Sequence, residues 1–407
     1  PFRKPQPQGR QPASGRLVQH RDGFGFVIAD EPLRGVDGDI YIGPAGIGDA
    51  MHGDRVLVNG LRVRPDGRAE GYIQRVLSRA RTTLVGIYHS GPPNNYVQPF
   101  EDRLPSRIMI PPGEQVPAGK PPEDFTPAAL DGAVVNIEIT RFPSLTQAAT
   151  GRVIEVLGRQ GDFGVDVEII IRKHRLPHVF PAPVLAEAGE IAPTVPVEES
   201  SRRRDFRALP IVTIDGETAK DFDDAVCVVP LENGNVQLQV HIADVSHYVR
   251  PGSALDREAR LRGTSVYFPD RAVPMLPEAL SNGICSLKPR EDRLVMSALL
   301  EMDSDGETVD VEFCEGVIRS AERMTYTDVN KFLEGDTEMR AKYGERHDML
   351  AAEFTRMRDL ALKLNARRVK RGSIDFDLPE PVISLNEMGE MVSITRSERN
   401  RSEEHTS

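Results

Sequence analysis

Residues 213–226 read TIDGETAKDFDDAV, and they lead directly into the apolar run 226–231. Four aspartates fall within ten residues of this stretch: Asp215, Asp221, Asp223 and Asp224. Carboxylates this close repel one another unless cations neutralise them. Oxygen ligands of this kind suit Mg²⁺ or Mn²⁺, which are hard ions that keep waters and substrate phosphates in their remaining coordination positions. The stretch therefore predicts a Mg²⁺ or Mn²⁺ site at the start of a β-strand.

Two other interpretations of the aspartates fit less well. A solvated acidic turn does not need the spacing of six positions from Asp215 to Asp221. A calcium loop would need the spacing Asp-x-Asp-x-Asp-Gly and a Glu at the twelfth position, and both are missing. A hairpin turn at Asn233-Gly234 would pair residues whose numbers sum to about 467. We therefore expect Asp244 to lie opposite Asp223 and to approach the acidic cluster.

The sequence around the aspartates predicts an α+β domain covering residues 207–400. Four apolar runs form two hairpins that turn at Asn233-Gly234 and Asp305-Gly306: 226–231, 236–242, 294–302 and 308–313. A long amphipathic helix follows, and its apolar residues recur with the helical period: Leu350, Phe354, Met357, Ala361 and Leu364. Gly372 is expected to end this helix.

The N-terminal sequence predicts two small β-barrels. Five short apolar runs are separated by turn signals: 15–18, 23–28, 39–42, 54–58 and 72–77. The segment GYIQRVLSR at 71–79 matches GRVIEVLGR at 151–159 in its Gly, Val, Leu and Arg, at an offset of 80 residues. This repeat predicts tandem barrels at 15–80 and 81–158. Residues 1–14 are expected to form a basic flexible tail, and the proline-rich residues 159–206 a linker.

Composition excludes several classes of protein. Of the 407 residues, 39% are hydrophobic and 28% are charged, which is typical of a folded domain and not of a disordered tail or a fibre. No run approaches the roughly 18 apolar residues of a membrane helix, and the N-terminus lacks a secretory signal. The three cysteines suggest neither a disulfide framework nor a zinc site. We expect a cytoplasmic protein without a membrane partner.

The charge distribution leaves room for a nucleic-acid partner. The formal net charge is −11, but the first 80 residues carry +3. Binding surfaces are local, so an acidic total does not exclude RNA. The runs 202–204 and 367–371 are basic and could contact phosphates, although cations at the end of a helix also complement its dipole. His241 and His247 are expected to be structural hydrogen-bonding groups, since a carboxylate site for hard ions has little need of imidazole.

Aromatic residues in the first barrel are spaced for stacking on bases. Phe24 and Phe26 lie two apart on one strand and therefore share a face, and Tyr41 falls on a neighbouring run. We predict that they form an RNA-binding platform of the cold-shock kind, with core packing as the alternative. The second barrel has no equivalent pair and offers only three aromatics around a Pro/Asn loop: Tyr88, Tyr96 and Phe100.

Five motifs, in this order along the chain, resemble the ribonuclease R and ribonuclease II family of 3′-to-5′ exoribonucleases. They are TIDGETAKDFDDAV at 213–226, HIADVSHY at 241–248, YFPDRAVPMLP at 267–277, LS at 280–281 and CSL at 285–287. The resemblance covers nearly the whole chain. It implies a multidomain protein in which two OB-type cold-shock barrels precede an α+β ribonuclease domain.

The resemblance also implies roles for individual residues. The catalytic acids that hold a two-ion metal centre would be the four aspartates: Asp215, Asp221, Asp223 and Asp224. Of these, Asp223 and Asp224 would lie nearest the reacting phosphate. Tyr267 would stack on a base near the 3′ end, and an opposing aromatic should fall near Ile383, where the sequence offers none. Such a site hydrolyses single-stranded RNA from a free 3′ end and releases nucleoside 5′-monophosphates. We expect the protein to act as a monomer.

The end of the sequence bears on the expected activity. The family's catalytic domain continues past residue 400, and a C-terminal OB-type domain follows it. Residues 401–407 can be encoded by AGATCGGAAGAGCACACGTCT, the start of a common sequencing adapter, and we expect them to be non-native. The chain by itself is then expected to bind RNA and to degrade it poorly. The alternative is an RNA-binding protein that uses tandem cold-shock domains and carries an inactive nuclease remnant, although four intact aspartates favour the exoribonuclease.

Overall fold

A computed structural model of the chain describes residues 12–91, 94–144, 146–374, 381–386 and 391–396. The chain divides between Leu176 and Pro177 into two units, and each is described by itself. The expected fold class is confirmed, because two closed five-stranded barrels precede a mixed α+β unit. Most of the predicted tail and all of residues 401–407 lie outside the described residues. The first strand begins at Ala13, two residues before the predicted start.

The first barrel is built from short strands whose alternate residues point inward. Its strands are β1 (Ala13–Gln19), β2 (Gly25–Ala29), β3 (Ile40–Ile42), β4 (Arg55–Val63) and β5 (Ala69–Ser78). They close in the order β1-β2-β3-β5-β4. Leu17, Val27 and Val56 are completely buried in its centre. Gly23 has a φ of 87° in the tight turn between β1 and β2, a conformation that favours glycine.

The second barrel repeats the topology of the first. It contains β6 (Thr83–His89), β7 (Asn95–Pro99), β8 (Ile108–Ile110), a short helix α1 (Pro127–Leu130), β9 (Ala133–Arg141) and β10 (Thr150–Arg159). Its cyclic order β6-β7-β8-β10-β9 matches the first barrel strand for strand. In both barrels the third and fifth strands pair in parallel. The repeat of 80 residues in the sequence therefore corresponds to two copies of one barrel.

The segment that we expected to be a linker, residues 159–206, is partly helical. It contains α2 (Val165–Lys173) in the first unit, and α3 (Ala182–Glu190) and α4 (Val197–Ser200) in the second. Its prolines mark helix starts, since Pro181 and Pro196 are the N-cap residues of α3 and α4. Val184 and Ala188 of α3 are buried in a core cluster of the second unit. The sequence of this predicted linker has one short helical pattern, near Val184–Ala188, and α3 forms there because its apolar residues are buried.

The second unit is organised around a seven-stranded sheet and two separate hairpins. The strands of the whole unit are β11 (Arg204–Asp205), β12 (Val212–Asp215), β13 (Asp224–Pro230), β14 (Val236–Ala243), β15 (Val266–Tyr267), β16 (Ala272–Val273), β17 (Asp292–Met302), β18 (Thr308–Arg319), β19 (Glu322–Thr325), β20 (Pro381–Leu385) and β21 (Met391–Arg396). The sheet has the order β11-β18-β17-β14-β13-β12-β19, and two further hairpins pair β15 with β16 and β20 with β21.

The second unit also contains the helices α5 (Val245–Tyr248), α6 (Ala254–Arg262), α7 (Tyr326–Glu334), α8 (Glu338–Tyr343) and α9 (His347–Lys370). Of these, α7, α8 and α9 pack against the sheet, whereas α6 packs against α3. Phe332 of α7 and Phe354 of α9 share a buried cluster with Val212 and Met324 of the sheet. The long helix predicted from its apolar period is therefore α9, which is held by its apolar face. Within the part of the chain that the structure describes, no helix is both long and apolar enough to cross a membrane.

Candidate active site

The four predicted metal-site aspartates lie at adjoining ends of two neighbouring strands. Asp215 is the last residue of β12, and Asp224 is the first residue of β13. The two strands pair antiparallel, so these residues lie at the same edge of the sheet. The loop between the strands carries Asp221 and Asp223. The short spacing along the chain therefore becomes a compact acidic cluster on a rigid support.

Side chains from β19 and α7 tie down the first half of this acidic loop. Arg323 donates hydrogen bonds to the backbone carbonyls of Gly216, at 2.5 Å, and Glu217, at 3.0 Å. The hydroxyl of Thr327 donates to the carboxylate of Glu217 at 2.6 Å. Arg323 is also positively charged next to the acids, and its charge lowers the pKa of Asp215 against larger opposing effects.

Ser286 holds the second half of the loop. It is completely buried. Its hydroxyl donates to the carbonyl of Lys220 at 3.0 Å and accepts the amide of Phe222 at 3.1 Å. The amide of Leu287 donates to the carbonyl of Phe222 at 2.8 Å. The backbone on both sides of Asp221 is therefore fixed by the CSL motif, to which sequence reasoning had given no role.

The cluster disfavours full ionisation. Burial raises the pKa of Asp215 from its ordinary value of 3.8 to about 6, and the charge of Asp224 adds to the shift. Partial burial is also the first cause of the raised pKa values of Asp223 and Asp224, although solvent reaches both side chains. The carboxylates of Asp221 and Asp224 raise the pKa of Asp223 further. A cation bound here would favour the ionised form of these three carboxylates and so lower their pKa values.

The acids fit a divalent cation that keeps part of its own hydration shell. The Oδ2 atom of Asp215 is buried and has no hydrogen-bond partner among the described residues. No three His, Cys, Asp or Glu side chains in the described ranges are grouped tightly enough to form a metal cage. Mg²⁺ does not require such a cage, since it usually takes one or two carboxylates and completes its shell with waters and phosphate oxygens. The orphaned oxygen and the coupled carboxylates match that preference.

Asp244 does not join the cluster as expected. The hairpin pairs residues whose numbers sum to 466, so the carbonyl of Asp223 accepts the amide of Ala243 at 2.8 Å, and Asp244 lies one residue beyond. Its buried carboxylate instead forms an ion pair with Arg203 at 2.7 Å and accepts the amide of His247 at the start of α5. A shift of one residue reverses the face of a strand residue, which is why the predicted fifth acid is wrong.

Arg203, which could have contacted RNA, is bound to other residues of the protein. It is buried between Asp244 and Glu199, so the middle residue of the basic run 202–204 has a structural role. His241 is also buried and shares a hydrogen bond of 2.8 Å with Ser297. Burial lowers the pKa of His241 to about 4, so it remains neutral at physiological pH. The arrangement agrees with the structural interpretation of this histidine.

Tyr267 lies beside the acids. Its side chain is 65% exposed, and its hydroxyl donates a hydrogen bond of 2.5 Å to Oδ2 of Asp221. Its ring is therefore in a position to meet a nucleotide that approaches the cluster. Ile383 lies on β20 and is 39% exposed, and the described residues of the β20–β21 hairpin include no aromatic side chain. The described part of this hairpin therefore supplies no second stacking ring.

A cavity of about 700 Å³ opens between the sheet and α9. Its floor is apolar and includes Val226 and Val240, and Asp224 lies in its wall. Four arginines from the α9 region also line it: Arg358, Arg367, Arg368 and Arg371. The basic run at 367–371 therefore faces the same cavity as one of the acids, although Arg367 also donates to the carbonyl of Gly306.

The predicted stacking platform of the first barrel is a surface cluster of aromatic rings. The rings of Phe24 and Tyr41 have centroids 5.9 Å apart, and those of Phe26 and Tyr41 are 5.8 Å apart. Phe26 and Tyr41 are each 39% exposed, so they are not core residues. His20 extends the cluster by stacking on Phe24 at 4.6 Å. Sequence reasoning missed His20, because it is the turn at Gly23 that brings this residue back to the platform.

The aromatics of the second barrel have different environments. Tyr88 is completely buried in the barrel core, and Phe100 packs against a buried cluster around Val85. Tyr96 lies near the surface, with His89 stacked at 4.9 Å and the guanidinium of Arg107 at 4.6 Å from its ring centre. The described residues of the second barrel therefore include no open aromatic pair of the kind found in the first.

Comparison with protein families divides the chain in the same way. Residues 15–76 match a ribonuclease B OB domain, residues 96–181 a cold shock domain, and residues 203–406 an RNB domain. The order of these matches agrees with two barrels followed by an α+β unit.

Individual relatives are similar over most of the chain. A ribonuclease R of Acidithiobacillus ferrooxidans is 42% identical, and the match covers 89% of this chain and 78% of the relative. A ribonuclease R of Escherichia coli is 39% identical over 95% of this chain but only 45% of its own length. The solved apo form of Mycoplasma genitalium RNase R has the same fold, with a TM-score of 0.84, 24% identity, and coverage of 96% of this chain and 59% of that one.

Proposed function

Because the chain belongs to the ribonuclease R family of 3′-to-5′ exoribonucleases, we propose that it hydrolyses single-stranded RNA from a free 3′ end and releases nucleoside 5′-monophosphates. One observation carries the proposal: four aspartates are held at one edge of the sheet, three of them (Asp215, Asp223 and Asp224) have raised pKa values, and a buried carboxylate oxygen of Asp215 lacks a partner among the described residues. A merely structural loop would have no reason to keep these repelling charges together.

Two Mg²⁺ or Mn²⁺ ions are the proposed cofactors. Asp215, Asp221, Asp223 and Asp224 would hold them. When bound, such ions activate a water, hold the scissile phosphate and neutralise the departing 3′ oxygen. The protein itself supplies the fixed geometry, because Ser286 and Arg323 anchor the loop from both sides.

Other side chains would place the RNA. The exposed ring of Tyr267 is suited to stack on a base next to the acids, and stacking needs no particular sequence. The arginines of the α9 cavity would attract phosphates by charge. In the first barrel, Phe24, Phe26 and Tyr41 would stack on bases of the RNA. Each contact fixes the strand without reading its sequence.

The proposal places the protein in the cytoplasm as a monomer. Its three cysteines are free thiols, and burial raises the pKa of Cys227 and Cys285 to about 12. Such thiols stay protonated and unreactive, which suits a reducing compartment.

The decisive experiment measures release of nucleoside 5′-monophosphates from a 3′-tailed RNA with Mg²⁺. It compares the wild-type chain with Asp223→Asn and with Asp310→Asn, which removes a charge from an exposed position on β18. Because the chain spans 45% of the Escherichia coli relative, the same variants are also tested in the longest reading frame that contains this chain. We expect Asp223→Asn to lower the rate by at least about 100-fold and Asp310→Asn to leave it unchanged.

Two results would contradict the proposal. Equal rates of monophosphate release by Asp223→Asn and wild type would show that the acids take no part in the reaction. Binding of RNA without monophosphate release in either length of protein would favour an RNA-binding protein with an inactive nuclease unit.

A further inference from the structure

The hydroxyl of Tyr267 makes a contact that base stacking does not require. It donates to Oδ2 of Asp221 at 2.5 Å, whereas the ring itself is largely in solvent. Stacking uses only the faces of the ring, so a phenylalanine would serve that purpose equally well. The hydroxyl is therefore free to have a separate function at the acidic cluster.

Both partners of this hydrogen bond are fixed in place by their own surroundings. Tyr267 lies on β15, which pairs with β16 through Tyr267 with Ala272 and Val266 with Val273. Val273 is buried and anchors the hairpin. On the other side, Ser286 binds the backbone on each flank of Asp221. Neither element needs the contact in order to hold its own backbone.

The hydroxyl points its proton towards the carboxylate. The hydrogen bond to Oδ2 of Asp221 gives the tyrosine hydroxyl one preferred direction.

An aspartate side chain is otherwise free to rotate about its two torsions. A hydrogen bond to one of its oxygens restricts that rotation and leaves the other oxygen available to a ligand. Carboxylates that bind metal ions are commonly oriented in this way by neighbouring donors. Ser286 fixes the backbone of Asp221 but does not reach its carboxylate, so the orientation depends on Tyr267.

We propose that the hydroxyl of Tyr267 is a positioning group that orients the carboxylate of Asp221 for a divalent cation. The inference rests on the proposed function, because it needs the acids to be a cation site. One residue then has two separable parts: the ring faces the RNA, and the hydroxyl prepares the metal ligand. The terminal base and the cation site are thereby held in a fixed relation.

The test separates the two parts with two substitutions. Tyr267→Phe removes the hydroxyl and keeps the ring, whereas Tyr267→Ala removes both. Tyr72→Phe, in the first barrel, is the matched loss of a hydroxyl elsewhere. Binding of Mn²⁺ is measured by calorimetry without RNA, and binding of a single-stranded RNA is measured in EDTA. Circular dichroism verifies that each variant is folded.

We expect Tyr267→Phe to weaken Mn²⁺ binding on the order of 10-fold and to leave RNA affinity in EDTA unchanged. Tyr267→Ala should weaken Mn²⁺ binding equally and also lower RNA affinity by at least about fivefold. Tyr72→Phe should match wild type in Mn²⁺ binding. Mn²⁺ affinity that is unchanged or increased in Tyr267→Phe would overturn the positioning role.

The outcome also separates this inference from the function on which it rests. If wild type and Asp223→Asn bind Mn²⁺ equally or not at all, the proposed cation site fails, and the positioning role fails with it. If Asp223→Asn loses Mn²⁺ and Tyr267→Phe does not, only the positioning role is wrong.

Discussion

At the scale of single residues, Ser286 determines how rigidly the acids are held. It is buried, and its hydroxyl bonds to both Lys220 and Phe222. We predict that Ser286→Ala lowers the free energy of unfolding by about 1–3 kcal/mol, because it leaves the buried amide of Phe222 unsatisfied and removes the partner of the Lys220 carbonyl. Urea denaturation measures this change. Ser281→Ala is the control, since its hydroxyl makes only a long contact of 3.5 Å to Pro277.

The same substitution should also affect the site itself. A loosened loop places Asp221 and Asp223 less accurately, so the rate of monophosphate release per folded molecule should fall on the order of 10-fold. A loss of stability with a normal rate would show that Ser286 supports the fold and not the positions of the acids.

At the scale of secondary structure, α9 completes the edge of the strand that carries Asp224. Among the described residues, β13 pairs with β12 only through Val226, and no other strand lies on that side of β13. The buried carboxylate of Glu353 accepts the amide of Val228 at 2.6 Å, and Arg356 donates to the carbonyl of the same residue at 3.2 Å. Two helix side chains thus replace the missing strand.

This arrangement predicts a large effect for a helix residue far from the acids in sequence. Glu353→Ala should lower the free energy of unfolding by about 3 kcal/mol, because it leaves the Val228 amide and the charge of Arg356 without their partner. Asp359→Ala, which removes an exposed partner of Arg358 on the same helix, should change it by less than about 1 kcal/mol. Equal losses of stability in the two variants would contradict the proposal that Glu353 stabilises the edge of β13.

At the scale of the whole molecule, the acids make the stability of the second unit depend on pH and on cations. The pKa of Asp215 is about 6 in the folded chain and ordinarily 3.8. The folded state therefore holds a proton that the unfolded state has lost, and stability falls as pH rises through this range. A bound cation favours the ionised acids and should reverse the loss.

We therefore predict that saturating Mn²⁺ stabilises one of the two units. At 100 times its dissociation constant, a single bound ion adds about 2.7 kcal/mol. Differential scanning calorimetry of the whole chain at pH 7.5 should show one unfolding transition whose midpoint temperature rises with Mn²⁺ and falls back when EDTA is added. The midpoint temperature of the barrels should not change. Asp223→Asn should remove the shift. A shift of both transitions, or one that persists in Asp223→Asn, would place the cation elsewhere.

Much of this protein can be predicted from its sequence because the signals are local. The aspartates lie within ten residues, strands and turns are set by neighbouring residues, and the barrel repeat is visible as two similar strings. Short spacings such as these leave the chain few alternatives, so the α+β unit, both barrels and the grouping of Asp215 with Asp224 follow directly.

Long-range packing decided the rest. The pairing of β13 with β14 differs by one residue from a count based on the turn alone, and that residue sends Asp244 to Arg203. Ser286 reaches the acidic loop across more than sixty residues of chain, and Glu353 reaches β13 across 125. Such contacts depend on how whole elements pack, and no local pattern of residues encodes them.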